Sequence, residues 1–269
     1  MGKVHDARRT RVALGFSGII SLRLWKMTSS KNYLLWDFDG TLAYRPGQWT
    51  DTVMLVLRSA GLATGIDREA VRPFMNTGFP WHEPDVIRPA GQAPDEWWRR
   101  LEPVLARAFE CGAQVGSERA KELARLVRAA YLDTTAWIVF EDVVPGLTRL
   151  SNLGWHHVIL SNHVPELSTL IENLDLRGHF EAIHTSGLTG VEKPNPEAFR
   201  RVLDTLPKGA AVWMLGDSLD ADVHGAEAVG LPAILIRKAS DAAARQCADL
   251  GGVIDLLSRA FPETRSRPN

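Results

Sequence analysis

The chain has 269 residues, a formal net charge of −1, and 45% hydrophobic and 23% charged residues, the balance of a soluble globular protein with one large domain or a core plus an insertion. That charge excludes a general attraction to nucleic acid or membrane surfaces. Cys111 and Cys247, far apart in sequence, give neither a disulfide framework nor a metal-binding spacing, which fits a reducing cytoplasm.

Residues 1–26 hold six Lys/Arg and one Asp, a net charge of +5 that leaves −6 from Met27 onward. Val12–Leu22 is mildly apolar but too short to span a bilayer, and no small-residue cleavage site follows it. The segment is expected to be a leader, disordered or not native, outside a catalytic unit that begins at Met27. Tyr33–Trp36 is a short apolar run and reads as a buried strand. It ends in Asp37-Phe38-Asp39-Gly40-Thr41, two carboxylates that start on one face before a glycine turns the chain away. Such neighbours repel unless a cation or proton intervenes, which points to a magnesium site with a reactive carboxylate. A helix cap or a solvated turn is the plainer reading. An EF-hand calcium loop is excluded because Thr41, Leu42 and Gln48 stand where its ligands and glycine belong.

Helices are predicted over 50–60, 67–76, 95–111 (kinked or divided at Pro103) and 117–132 (capped by Ser117). A Pro/Gly-rich loop from Gly78 to Pro94 separates the second from the third. This helical block, 46–135, interrupts a pattern that resumes at Val144. Helix 145–153, strand 157–160, helix 165–174, strand 182–184, helix 196–206 (capped by Asn195), strand 211–215, helix 220–229 and strand 233–236 then alternate. That order predicts a parallel sheet with helices on both faces and a ligand site beyond the strands' carboxyl ends. A polar tail, Thr264–Asn269, closes the chain.

Each strand is followed by reactive side chains. Ser161-Asn162 suits a phosphate oxygen or a helix cap equally well. Lys193, in Glu192-Lys193-Pro194-Asn195-Pro196, offers a point charge to phosphate. Gly216-Asp217-Ser218-Leu219-Asp220-Ala221-Asp222 holds three acids, more than capping requires, and magnesium favours one or two carboxylates with water and phosphate. Of the nine tryptophans, Trp36, Trp137, Trp155 and Trp213 are most simply core. Trp49, Trp81, Trp97 and Trp98 are expected to pack the helical block, and could line a pocket for an aromatic or sugar leaving group. His163 is expected to contact substrate or to be solvated.

The ordered set of four strand-end motifs resembles the haloacid dehalogenase superfamily, more narrowly its phosphatase-like members with a helical cap after the first strand. The resemblance spans about Asn32 to Lys238. It implies a doubly wound, Rossmann-like α/β core (27–45 and 136–269) with an inserted α-helical cap (46–135). The implied activity is a Mg²⁺-dependent phosphomonoester hydrolase working through an aspartyl-phosphate. Asp37 would be the nucleophile, and Asp39 the general acid and then the base. Ser161, Asn162 and Lys193 would hold the phosphoryl group. Asp37, the Asp39 main-chain carbonyl and Asp217 would bind Mg²⁺, with Asp222 behind them or reaching the metal. The expected partner is a small phosphorylated substrate, with no nucleic acid and no membrane, in a monomer or weak homodimer. The acid at Asp39 sets the chain apart from dehalogenases, which need no metal. A phosphonate hydrolase would want a cap lysine, and the cap offers only Lys121. A sugar-phosphate mutase shares all four motifs and is the rival reading. A phosphate-receiving signalling domain places its acids differently, and a non-catalytic module would be missing some motif residue.

Overall fold

The computed structural model describes residues 31–261, so the expected leader 1–26, Met27 and the tail Thr264–Asn269 lie outside the described residues. Strand β1 (Asn32–Trp36) forms from the apolar run. Tyr33 and Leu35 enter one apolar layer, and Leu34 and Trp36 the other. Burial on both faces is what a central parallel strand requires.

The chain then makes a two-residue strand, β2 (Ala43–Tyr44), and passes into helices α1 (Gln48–Ser59), α2 (Pro94–Arg107) and α3 (Ser117–Leu132). It returns through β3 (Ile138–Val139), antiparallel to β2. There follow α4 (Val143–Asn152), β4 (Trp155–Ser161), α5 (Leu167–Asn173), β5 (Ala182–Thr185) and α6 (Pro196–Leu203). Strands β6 (Ala211–Gly216), β7 (Ala233–Ile236) and β8 (Gln246–Cys247) lead to α7 (Leu250–Ala260).

Six strands form one parallel sheet in the order β5-β4-β1-β6-β7-β8. Leu147 and Leu150 of α4 with Val253 and Leu257 of α7 cover one face. Phe199 and Val202 of α6, with Val223 and Ala226, cover the other. Each fully buried large apolar side chain contributes roughly 1.5–3 kcal/mol. The chain runs outward from β1 to β4 and β5, then crosses to β6 and continues the opposite way. Ligand crevices form where the order reverses in this way. Trp36 is level with Ile159 of β4 and Leu215 of β6. Asp37 therefore emerges between those strands, and its N–H still donates to Leu215 O at 2.9 Å.

Several local expectations are corrected. The predicted 67–76 helix is one α-helical turn (Arg68–Val71), capped by Asp67 on the Glu69 N–H, and then a 3₁₀ turn. Pro73 removes the donor that would carry the α ladder on. Helix α2 runs through Pro103 undivided and widens into a π turn only at Ala108–Gly112. Pro103 is exposed while Leu101 and Leu105 are buried, so water can meet the orphaned carbonyl while packing holds the helix. Ser117 is the first residue of α3 and not its cap, since Gly116 holds that position. The predicted helix 220–229 opens as a π turn, Leu219–His224, capped by Ser218 on the Ala221 N–H.

The helices between Gln48 and Leu132 pack around aromatic rings. Trp49 stacks on Tyr131 at 4.1 Å and lies 4.7 Å from Phe79 and 5.9 Å from Trp98. Two backbone bonds tie the loop before α2 to the turn after β5: Arg88 N–H to Gly190 O and Gly91 N–H to Leu188 O, each 2.8 Å. Gly190 has φ +74°, and a Cβ there would lie 2.2 Å from Arg88 O, so only glycine permits the crossing. Among the described residues no helix is long and apolar enough to cross a membrane.

Candidate active site

Lys193 is 2% exposed, and its ammonium sits between two carboxylates, donating to Asp37 Oδ1 at 2.9 Å and Asp222 Oδ1 at 2.6 Å. Burial alone would lower its pKa, but Asp222 and Asp37 more than offset this and leave it raised. The lysine is therefore charged, as a buried ammonium flanked by two acids must be. Asn162 fixes where it starts. Its Nδ2 donates to Lys193 O at 2.8 Å, and its Oδ1 accepts from Lys193 N–H at 2.7 Å. The Asn162 side chain, at the end of β4, thus acts on the lysine's backbone. Asp222 is likewise committed on both oxygens, with Oδ2 accepting from Ser218 N–H at 2.9 Å.

Asp39 lies one turn beyond Asp37. Its Oδ2 accepts from Gln48 Nε2 at 3.1 Å, and its Oδ1 is buried without a partner among the described residues. Burial, then the charges of Asp37 and Asp217, push its carboxyl up to about 7, against the pull of Gln48 and Lys238. In the metal-free protein it can carry a proton at neutral pH, which a general acid requires. Ser161 is 1% exposed, and its Oγ is also without a partner among the described residues. A buried hydroxyl left unpaired is costly, so it marks a place for a ligand oxygen. A cavity of about 380 Å³ opens over Asp37, Asp39, Asn162 and Lys193.

Oxygens of Asp37, Asp217 and Asp222 lie within 4.8 Å of one another. Ligands of one magnesium ion, at about 2.1 Å each, stand at most about 4.2 Å apart, so this all-oxygen set fits the ion with little movement. Lys193 occupies Asp37 Oδ1, and Lys238 occupies Asp217 Oδ2 at 2.7 Å. Asp37 Oδ2 and Asp217 Oδ1 accept no hydrogen bond among the described residues and are the oxygens best placed for a metal. The Asp39 carboxylate is not in the group. Gly40 matters here twice. Its φ is +83°, and a Cβ would come within 2.5 Å of Asp217 Oδ2. The tight turn that aims Asp39 thus also makes room for Asp217.

His163 corrects an expectation, since it neither faces solvent nor reaches the cavity. It is 2% exposed among Phe38, Tyr131 and Trp137, with Nε2 3.3 Å from the Tyr131 hydroxyl. Burial lowers it to about 4 despite Asp37. Trp97 and Trp98 pack the helices, whereas Trp49 and Trp81 do that and also line the cavity. Gln48, Tyr131 and Lys238 were not marked by any sequence motif. They reach the site from the ends of α1 and α3 and from beyond β7.

A sequence profile described as haloacid dehalogenase-like hydrolase matches residues 32–230. Haloacid dehalogenase-like hydrolase domain-containing protein 3 of Bos taurus is 29% identical over 150 residues, 54% of this chain and 57% of that protein, so the match spans little more than half of that relative. A ribulose-1,5-bisphosphate 5-phosphatase of Halopiger xanaduensis is 29% identical over 222 residues, 80% of this chain and 89% of that one. Among solved structures, the magnesium-bound HAD-hydrolase YfnB of Bacillus subtilis superimposes with a TM-score of 0.66 at 17% identity, covering 85% of this chain and 99% of that one.

Proposed function

The chain belongs to the haloacid dehalogenase-like hydrolases, and from that premise we propose that it is a Mg²⁺-dependent phosphatase of small phosphorylated metabolites, working through an aspartyl-phosphate on Asp37. The observation that carries this reading is the buried Lys193 ammonium held against Asp37 under an open cavity, with the Ser161 hydroxyl, buried and without a partner among the described residues, at the end of β4. An anionic nucleophile approaches an anionic phosphate only where cations offset the repulsion.

Asp37 attacks phosphorus while the bond to the leaving oxygen breaks, and protonated Asp39 gives that oxygen its proton. Asp39, now a carboxylate, takes a proton from water as the water attacks phosphorus and the bond to Asp37 breaks, releasing inorganic phosphate. Lys193 holds the phosphoryl oxygens, Ser161 donates to one of them, and Asp222 and Asn162 hold Lys193. Magnesium, held by Asp37, Asp217 and the Asp39 carbonyl, would supply charge neutralisation at the phosphoryl oxygens.

Residues 46–135 act as a cap over this site, on a core whose described residues are 31–45 and 136–261. The β2–β3 pairing supports this, because it brings the two chain crossings side by side at Ala43–Tyr44 and Ile138–Val139. The test is a panel of small phosphomonoesters with and without Mg²⁺. Turnover is expected to require Mg²⁺ and to fall to background in Asp37→Asn with the fold retained. Hydrolysis by that variant at the wild-type rate would remove the nucleophile, and isomerisation of a sugar phosphate faster than its hydrolysis would make the chain a mutase.

A further inference from the structure

The cavity beyond the phosphoryl position has a one-sided chemistry. Trp49, Trp81 and Tyr131 form its wall, with Gln48 and Pro194 beside them. One face of Trp81 is stacked on Phe79 at 4.8 Å, yet Trp81 remains partly exposed, so indole surface is available to a second ring. Lys193 is the only basic residue lining the cavity among the described residues, and it is committed to Asp37, Asp222 and the phosphoryl group.

The other cations described around it are engaged elsewhere. Arg45 is 5% exposed behind Tyr131, donating to Thr52 Oγ1, Tyr131 O and Asp133 O. Arg88 pairs with Glu83, and Lys238 with Asp217. Past Gln48 and Trp49, a neighbouring cavity is lined by Arg68 and Arg72, both paired with acids: Arg68 with Asp51 and Glu69, Arg72 with Glu69. The charged groups that do face the leaving-group space are Asp39 and, at the rim, Asp220. A second anion there would lose its water and find no unpaired cation among the described lining residues, while the carboxylates of Asp39 and Asp220 repel it, a cost that rejects it.

We propose that the substrate's alcohol part is flat and carries no anionic group: a phosphomonoester of an aryl- or heteroaryl-bearing alcohol, and not a phosphorylated hydroxy acid or a bisphosphate. This rests on the phosphatase reading above. Stacking one ring on an aromatic side chain gives about ten-fold or more in affinity, and that is the preference expected over a small polyol.

The experiment uses the full chain with Mg²⁺ and compares kcat/KM for benzyl phosphate, its para-carboxylate and glycerol phosphate, with para-nitrophenyl phosphate as a reactive control. Benzyl phosphate is expected to exceed both the para-carboxylate and glycerol phosphate by about ten-fold or more. Trp81→Ala should lower the benzyl-to-glycerol ratio. Ala221→Lys, on the partly exposed π turn lining the cavity and away from the aromatic cluster, should raise the para-carboxylate relative to benzyl phosphate. Hydrolysis of all three esters without preference, or a preference for the carboxylate, overturns the inference and leaves the phosphatase reading standing. Absence of hydrolysis of all four esters overturns the phosphatase reading, and the inference with it.

Discussion

Acid should destabilise this fold through a histidine far from its chemistry. His157 is 1% exposed on β4, beside Leu34 of β1. Trp36 Nε1–H donates to its Nδ1 at 3.0 Å, while its Nε2 lies 3.1 Å from Ser151 Oγ and 3.2 Å from Leu147 O. An indole N–H can only donate, so Nδ1 must keep its lone pair and the ring is neutral, with its proton on Nε2. A second proton would set two N–H groups against each other in a dry interior. Burial accordingly lowers the imidazole from 6.5 to about 4. Between those values the unfolded chain binds a proton that the folded chain refuses. The stability is therefore complete above pH 6.5 and is lost as pH falls toward 4. From pH 7 to pH 5 the linkage removes about 2 kcal/mol. The assay is urea unfolding at both pH values for the wild type and His157→Gln, whose amide can accept from the indole but cannot become charged. The variant should lose about 2 kcal/mol less than the wild type across that interval. Equal losses, within about 0.5 kcal/mol, would refute the reasoning.

Asn162→Ala removes both bonds to the Lys193 backbone and should lower kcat/KM by about 10–100-fold, read by steady-state kinetics on the folded variant, with some loss of thermal stability from the unpaired Lys193 N–H and C=O; an unaltered kcat/KM would show that the clamp is idle. Glu166, before α5, accepts from Trp98 Nε1 at 3.1 Å and pairs with Arg128 of α3 at 2.7 Å. Glu166→Gln should speed amide hydrogen exchange in α2 and α3 and raise KM, whereas unchanged exchange would mean that these bonds do not hold the helices to the sheet.

The sheet and its strand-end chemistry were legible because their signals are local. Apolar runs such as Tyr33–Trp36, a glycine at the turn, and acids in Asp37-Phe38-Asp39 and Asp217–Asp222 each declare themselves within a few residues. Helix α7 is signalled as clearly, with Asp249 as cap and Leu250, Val253, Ile254 and Leu257 at helical spacing, although it lies past the alternating pattern that ends at Ile236. The two-residue strands β2 and β3 carry no periodicity at all and exist because their pairing closes the two chain crossings. Gln48, Tyr131 and Lys238 reach the site by packing alone. His163 illustrates the limit from the other side: sequence placed it beside Asn162, but only the surrounding Phe38, Tyr131 and Trp137 decide that it is buried.

The central claim is that Asp37 is phosphorylated and that Asp39 moves the protons. Rapid-quench analysis of Asp39→Asn with para-nitrophenyl phosphate and Mg²⁺ tests it most directly. Para-nitrophenolate leaves without needing a proton, whereas the water of the second step still needs a base, a contribution of about 10²–10⁴-fold. The account predicts a burst near one equivalent of para-nitrophenol per enzyme, then a stall, with phosphate recovered on the peptide containing Asp37. No burst and no phosphopeptide, or phosphate on a different residue, would contradict it.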